Sequence, residues 1–292
     1  MDYELYHDES RISGYWHGML LVPIPKKQAL VDYLAKARSN INYPNPLSLK
    51  KVRRTGKLYE CVESWLTIGV AALMSRTRQK YPQPLYLGNR ELTLFREVIG
   101  ARLVLFRERD NLQAMQYVTE FGSKVEITFR MGLKGALHFL GRDDQYIRIA
   151  KLHFDGNEHY HRGLSRNRII ERMKGLRDYC SIENAIDDRS GNHDKPNCQS
   201  YEDCQILQLT DLLVSSFRSV LSSRVNPKHK RLIIPVKEVI KRYLQGTARM
   251  ECSRWRGALS MSQCYLENGQ WKFEPINIER ENKDFQLHLF DI

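Results

Sequence analysis

Three carboxylates stand where the surrounding residues call for ordered, partly buried chain: Asp8, Asp155 and Asp211. Asp8 follows the apolar and aromatic run Tyr3 to Tyr6, which reads as a strand. Asp155 closes the alternating segment Tyr146 to Asp155, a second strand with Gly156 behind it. Asp211 lies inside the apolar stretch Ile206 to Leu221, which reads as a helix. A buried charge is costly unless something neutralises it, and a divalent cation is one such partner. For each residue taken singly, a capping or salt-bridged Asp is the ordinary alternative. Taken together, two neighbouring strand ends and a helix packed across them would gather an oxygen-rich site suited to Mg²⁺ or Mn²⁺. Such ions activate water and stabilise the leaving oxygen in phosphodiester hydrolysis. Strand alternation puts Asp8 and Ser10 on one side, and helical spacing lines Gln208, Asp211 and Ser215 along one face.

Other groups could serve that chemistry. His159, close behind Asp155, is placed to shuttle protons near neutral pH. His153 and His161 bracket the same Asp, and His193, Cys198 and Cys204 precede the Asp211 helix, yet their spacing matches no paired C-x-x-C zinc pattern. Arg162, Arg166, Arg168 and Arg172 follow Asp155, while Arg224, Lys228, Lys230, Arg231, Lys237, Lys241 and Arg242 follow Asp211. Both clusters suit contacts to a phosphate backbone, with a solvated basic face as the alternative. The whole chain carries 46 basic against 34 acidic residues, a formal charge of +12. That surplus favours a polyanionic partner, most often nucleic acid. The sequence contains neither a base-reading motif nor a Walker-type glycine loop, which argues against base readout and against phosphate transfer on small nucleotides.

The elements that must position these groups alternate between strand and helix, which predicts an α/β layered fold. Strands at about 2–8 and 15–22, with Gly14 between, suit an antiparallel hairpin. Helices are expected over Pro25 to Ala37, Lys57 to Ser75, Glu91 to Val98, Val125 to Leu140, Ser165 to Cys180, Ile206 to Leu221 and Pro235 to Gln245. Further strands are expected at Ala101 to Phe106 and Ile182 to Ile186, with a polar loop over Asp187 to Asp203. Glu267-Asn268-Gly269 marks a C-terminal hairpin. The expected division is a main domain over 1–246, with helical insertions at about 57–140, and a hairpin extension over 247–292 packed on it. No apolar run approaches the roughly 20 residues needed to span a bilayer. Six scattered cysteines and the absence of a secretory signal point to reduced thiols in a cytoplasm.

Asp8-Glu9-Ser10 and Gln208-Leu209-Thr210-Asp211-Leu212-Leu213 resemble the two signatures of a bacterial domain-of-unknown-function family, an N-terminal D-E-S-G and a C-terminal Q-L-A-D-L-L. The resemblance spans roughly residues 1–222. Members of that family are similar to ribonuclease H in fold, and several sit in phage-defence or mobile-element gene clusters. It implies an RNase H-like mixed sheet flanked by helices and a metal-dependent nuclease site acting on RNA or DNA. Asp8, Asp155 and Asp211 would be its ligands, with Glu60 (or its neighbour Glu63) or Glu9 as a fourth oxygen donor. Arg11 and Thr210 depart from the family's Gly and Ala. These departures leave a second reading open: a nucleic-acid-binding or partner-recruiting subunit on the same fold, without catalysis.

Overall fold

A computed structural model of the chain describes residues 1–80, 86–87, 90–91, 99–140, 147–155, 180–188, 201–222, 225–248 and 258–276. The chain folds as an α/β protein built on a mixed sheet flanked by helices. β1 (Asp2–Ser10) and β2 (Tyr15–Pro23) form the expected antiparallel hairpin. The chain then leaves the sheet through α1 (Ile24–Ile41) and α2 (Lys57–Lys80). Pro23 and Pro25 suit the start of α1, where a missing N–H is not needed, and Asn42 ends it in the left-handed conformation at φ 54°. β3 (Tyr86–Leu87) and β4 (Arg90–Glu91) pair with each other. Glu91 is therefore strand, not the start of the expected helix, and residues 92–98 lie outside the described residues.

β5 (Arg102–Glu108), α3 (Phe121–Leu140), β6 (Ile147–Asp155), β7 (Cys180–Asp188), α4 (Tyr201–Leu221) and α5 (Ile234–Ala248) follow. Cys180 opens a strand rather than closing a helix, and that strand runs on to Asp188. The polar composition of 187–203 conceals both this strand end and the first turn of α4. β8 (Leu259–Glu267) and β9 (Gln270–Pro275) form the C-terminal hairpin, whose turn residues Asn268 and Gly269 adopt φ 52° and 77°. That pair of positive values is what Asn-Gly accommodates in a two-residue turn.

The sheet has seven strands in the order β7-β6-β1-β2-β5-β8-β9. β1 pairs parallel with β6, β6 with β7, and β5 with β8, while β2 and β9 run the opposite way. The hairpin thus continues the main sheet. Alternation divides the strands between two cores. On one face Tyr6, Trp16, Leu20 and Val22 pack beneath α4 and α1, with α2 and α5 completing the same core. On the other Tyr3, Leu5, Met19, Leu21 and Phe154 meet Val125, Phe129 and Leu133 of α3. No helix among the described residues is long and apolar enough to cross a membrane.

Candidate functional site

β1 carries Glu4, Tyr6 and Asp8 on its α4 face, and α4 is laid close against it. The closeness depends on Gly18, which pairs with Asp8 across the hairpin. A Cβ on Gly18 would come within 1.7 Å of Val214 Cγ2, so only glycine admits the helix here. Asp8, 7% exposed, is thereby enclosed beneath α4. Asp211 precedes Val214 by one turn and accepts a 3.1 Å hydrogen bond from the Ser215 hydroxyl. Burial pulls the Arg218 guanidinium below its ordinary pKa, and the Asp211 charge opposes that pull.

The remaining residues of the Gln208–Leu213 motif explain why it has its form. Leu209, Leu212 and Leu213 are fully buried, and Leu209 and Leu213 pack on Gly69 of α2. Gln208 Oε1 accepts from the Leu47 amide at 2.9 Å and from Arg38 at 3.3 Å, while Arg38 also donates to the Tyr43 and Asn45 carbonyls. Gln208 therefore ties α4 to α1 and its following loop. The Thr210 hydroxyl donates back to the Ile206 carbonyl, a contact internal to the helix.

β6 reaches the same end of the sheet. Tyr6 pairs with His153 and His7 with Phe154, so the next position, Asp155, stands level with Asp8. Asp155 in turn pairs with Asp188, the last residue of β7. Three adjacent parallel strands thus carry an acidic row, with Asp155 and Asp188 closing β6 and β7 and Asp8 two residues before the end of β1. Asp188 escapes sequence reading because the strand that carries it merges into a polar segment.

Four residues nearer the start of β1, at Glu4, lies a second group that sequence reading misses. Glu4, His153 and Asp203 present ligand atoms within 4.8 Å of one another, a set that could hold a metal ion. In the folded chain these groups already share an internal cation: Lys27 of α1 donates to Glu4 at 2.7 Å and pairs with Asp203 at 2.5 Å. The Tyr6 hydroxyl lies 2.7 Å from both carboxylates, and the His153 ring stacks on Tyr6 and reaches Glu4 at 3.2 Å. Burial pushes the Glu4 carboxyl upward, but hydrogen bonds from His153, Lys27 and Tyr6 outweigh it and hold Glu4 far below the usual carboxylate range. Burial alone would lower Lys27, yet Asp203 and Glu4 leave it raised. The signal for this group is the spacing Glu4-x-Tyr6-x-Asp8 on one strand face, with His153 two positions before Asp155.

Two expected ligands fall elsewhere. Glu9 alternates away from Asp8 onto the α3 face, where it pairs with Arg11 at 3.0 Å, and Arg11 covers the Phe121 ring. Its position excludes it from sharing an ion with Asp8. Glu60 is exposed in the first turn of α2, and α2 packs chiefly on α1, α4 and α5, a layer removed from β1. Glu63 lies on that helix too. Lys228, Lys230 and Arg231 are exposed, as a binding role requires. His159, Arg162, Arg166, Arg168, Arg172 and Arg224 lie outside the described residues.

Comparison with protein-family models, with curated proteins and with solved structures found no match.

Proposed function

We propose that this chain is a metal-dependent nuclease of RNase H-like type, hydrolysing phosphodiester bonds of RNA or DNA, with anti-phage defence as its setting. The observation that carries the reading is the packing of Val214, next after the α4 motif, on Gly18, the hairpin partner of Asp8, beside a parallel strand that ends in Asp155. Hard carboxylate oxygens at the ends of adjacent strands fit Mg²⁺ or Mn²⁺. Asp8, Asp155 and Asp211 would hold the metal, and Asp188 replaces Glu9 and Glu60 as the best fourth acid. The bound metal would supply activated water and charge neutralisation at the scissile phosphate. Gln208, through Arg38 and Leu47, fixes the rotation of α4 and with it the aim of Asp211. The basic surplus, with Lys228, Lys230 and Arg231 exposed, supports a phosphate-backbone substrate.

The test is cleavage of labelled RNA and DNA by purified protein with Mn²⁺ or Mg²⁺. Wild type should nick or degrade one of them, and Asp211→Asn and Asp8→Asn should reduce the rate by at least a hundredfold. Equal behaviour of wild type and variants across metals and substrates sinks the reading.

The pairing of Glu9 with Arg11 and the exposure of Glu60 favour one alternative, a non-catalytic nucleic-acid-binding subunit with too few ligands for hydrolysis. It predicts nucleic-acid binding with no Mn²⁺ heat signal that depends on Asp8 or Asp211 in calorimetry.

A further inference from the structure

Two loops far apart in sequence meet beyond the C-terminal end of α4. Residues 49–57 leave a short helical turn and enter α2, and residues 225–233 join α4 to α5. The His229 ring hydrogen-bonds the Val52 backbone, and Arg231 lies close enough to Tyr59 for its charge to act on that hydroxyl. The first loop brings Lys50, Lys51, Arg53, Arg54 and Lys57 to the surface, and the second brings Lys228, Lys230 and Arg231. No Asp or Glu occurs from residue 33 to 59 or from 212 to 237. The acids that flank these stretches are Asp32, Glu60, Asp211 and Glu238, too few to balance these eight cations. Burial, and after it the charge of Lys230, lowers the ammonium of Lys237 at the edge of the second loop. Beside the first loop an open hollow of about 450 Å³ has Tyr43, Pro44 and Leu58 in its wall, with Asn42, Asn45, Lys51, Arg53 and Lys57 among them. Amide and cationic groups around a concavity of that kind suit phosphate and sugar oxygens.

We propose that residues 50–57 and 228–231 together form a docking surface for the sugar-phosphate backbone of a polynucleotide. The surface rests on the nuclease reading only for the direction in which the strand runs, toward Asp8 and Asp211. Asp211 and Leu221 lie ten positions apart on α4, a rise of about 15 Å. At about 3.4 Å per nucleotide along one strand, a bound chain needs roughly five nucleotides to bridge that span. A ligand that holds this surface and also reaches Asp211 across that span is therefore a polymer, not a mononucleotide or a dinucleotide.

The experiment measures anisotropy of labelled single strands of 3 and 12 nucleotides, and of a 12-base-pair duplex, in EDTA. Two variants reverse the charge of each loop, K51E/R53E/R54E and K228E/K230E, with matched melting curves as the check on folding. Glutamine versions replace any variant that fails to fold. Wild type should bind the 12-mer at least tenfold more tightly than the 3-mer, and each variant should remove that gain. The salt slope should flatten by about 0.7 to 0.9 for each phosphate that the variant no longer neutralises. Wild-type affinity and slope in both variants overturn the proposal. Patch-dependent binding without cleavage under Mn²⁺ removes the nuclease reading and leaves the surface standing, whereas cleavage unaffected by both variants does the reverse. The duplex arm decides whether the surface takes one strand or two.

Discussion

Gly18 is the position where a single methyl group should move the candidate site most. Its added Cβ would sit 1.7 Å from Val214 Cγ2 and 3.0 Å from Val214 Cβ. Carbon atoms rest at about 3.5–4.0 Å, so Gly18→Ala requires a displacement of about 2 Å between β2 and α4. Overpacking of this kind costs about 1–3 kcal/mol. Val214→Ala removes the clashing methyl groups and by itself costs about 1.6 kcal/mol at roughly 0.8 per buried carbon. In the double variant the new methyl occupies part of the space vacated, so the two losses should not add. A coupling of about 1–2 kcal/mol toward stability is expected, read from urea midpoints of the four proteins. Because Gly18 lies opposite Asp8, and Val214 one turn from Asp211, the same displacement should weaken Mn²⁺ binding in Gly18→Ala and restore it in the double variant. Additive losses, or metal binding unchanged in Gly18→Ala, would refute the close packing of α4 on β2.

Lys27→Met leaves Glu4 and Asp203 facing each other without their shared cation, and removal of one partner from such a group costs about 3–5 kcal/mol when buried. Lys27 is 16% exposed, so the lower end of that range is expected in a thermal melt. If the three ligands can take an ion, Mn²⁺ or Zn²⁺ should recover part of the loss in this variant and not in Lys27→Met with Glu4→Gln. A second expectation concerns acid. His17 Nε2 lies 2.8 Å from the Thr128 hydroxyl and its Nδ1 lies 2.9 Å from His7 Nε2, and burial lowers its pKa to about 3. The unfolded chain takes up that proton below about 6.5 while the folded chain does not. Stability should therefore fall from pH 6.5 downward, by about 2 kcal/mol at pH 5 at about 1.4 per unit. Glu4 acts in a separate window, because its depressed carboxyl stabilises the fold above its ordinary 4.5 and that contribution is lost below it. His17→Gln should flatten the denaturation midpoint between pH 6.5 and 5, and an unchanged slope would rule out the buried neutral histidine.

Much of this arrangement is legible in the sequence because it follows from periodicity. The β1–β2 hairpin, the apolar helix bearing Asp211 and the strand ending at Asp155 each rest on patterns that packing then enforces. Glu9 misleads because adjacency in sequence is opposition in a strand, and only the side of the sheet taken by α4 decides which neighbour faces it. Glu60 misleads because helical spacing gives a face and not a layer: α2 lies behind α4 and not on the sheet. Asp188 and Asp203 read as loop since the residues around them are polar, yet β6 supplies Asp188 with a pairing strand and α4 starts one turn before its apolar run. The Glu4, Lys27, His153 and Asp203 group joins four elements, so no local pattern could announce it.

The α4 face of β1 is acidic at two levels, and the levels differ in how their charge is met. Glu4 and Asp203 are held by Lys27, Tyr6 and His153, all from inside the fold, and that network fastens α1, β6 and the start of α4 to one another. Asp8 stands four residues beyond Glu4, about 13 Å further along the strand. At that distance like charges repel by about 1 kcal/mol for an effective dielectric near 20. An ammonium built into the lower level therefore lessens the field that Asp8 bears. On the proposed metal-dependent reading, a fold secured by its own lysine would keep α4 in register with β1 when the exchangeable cation is lost.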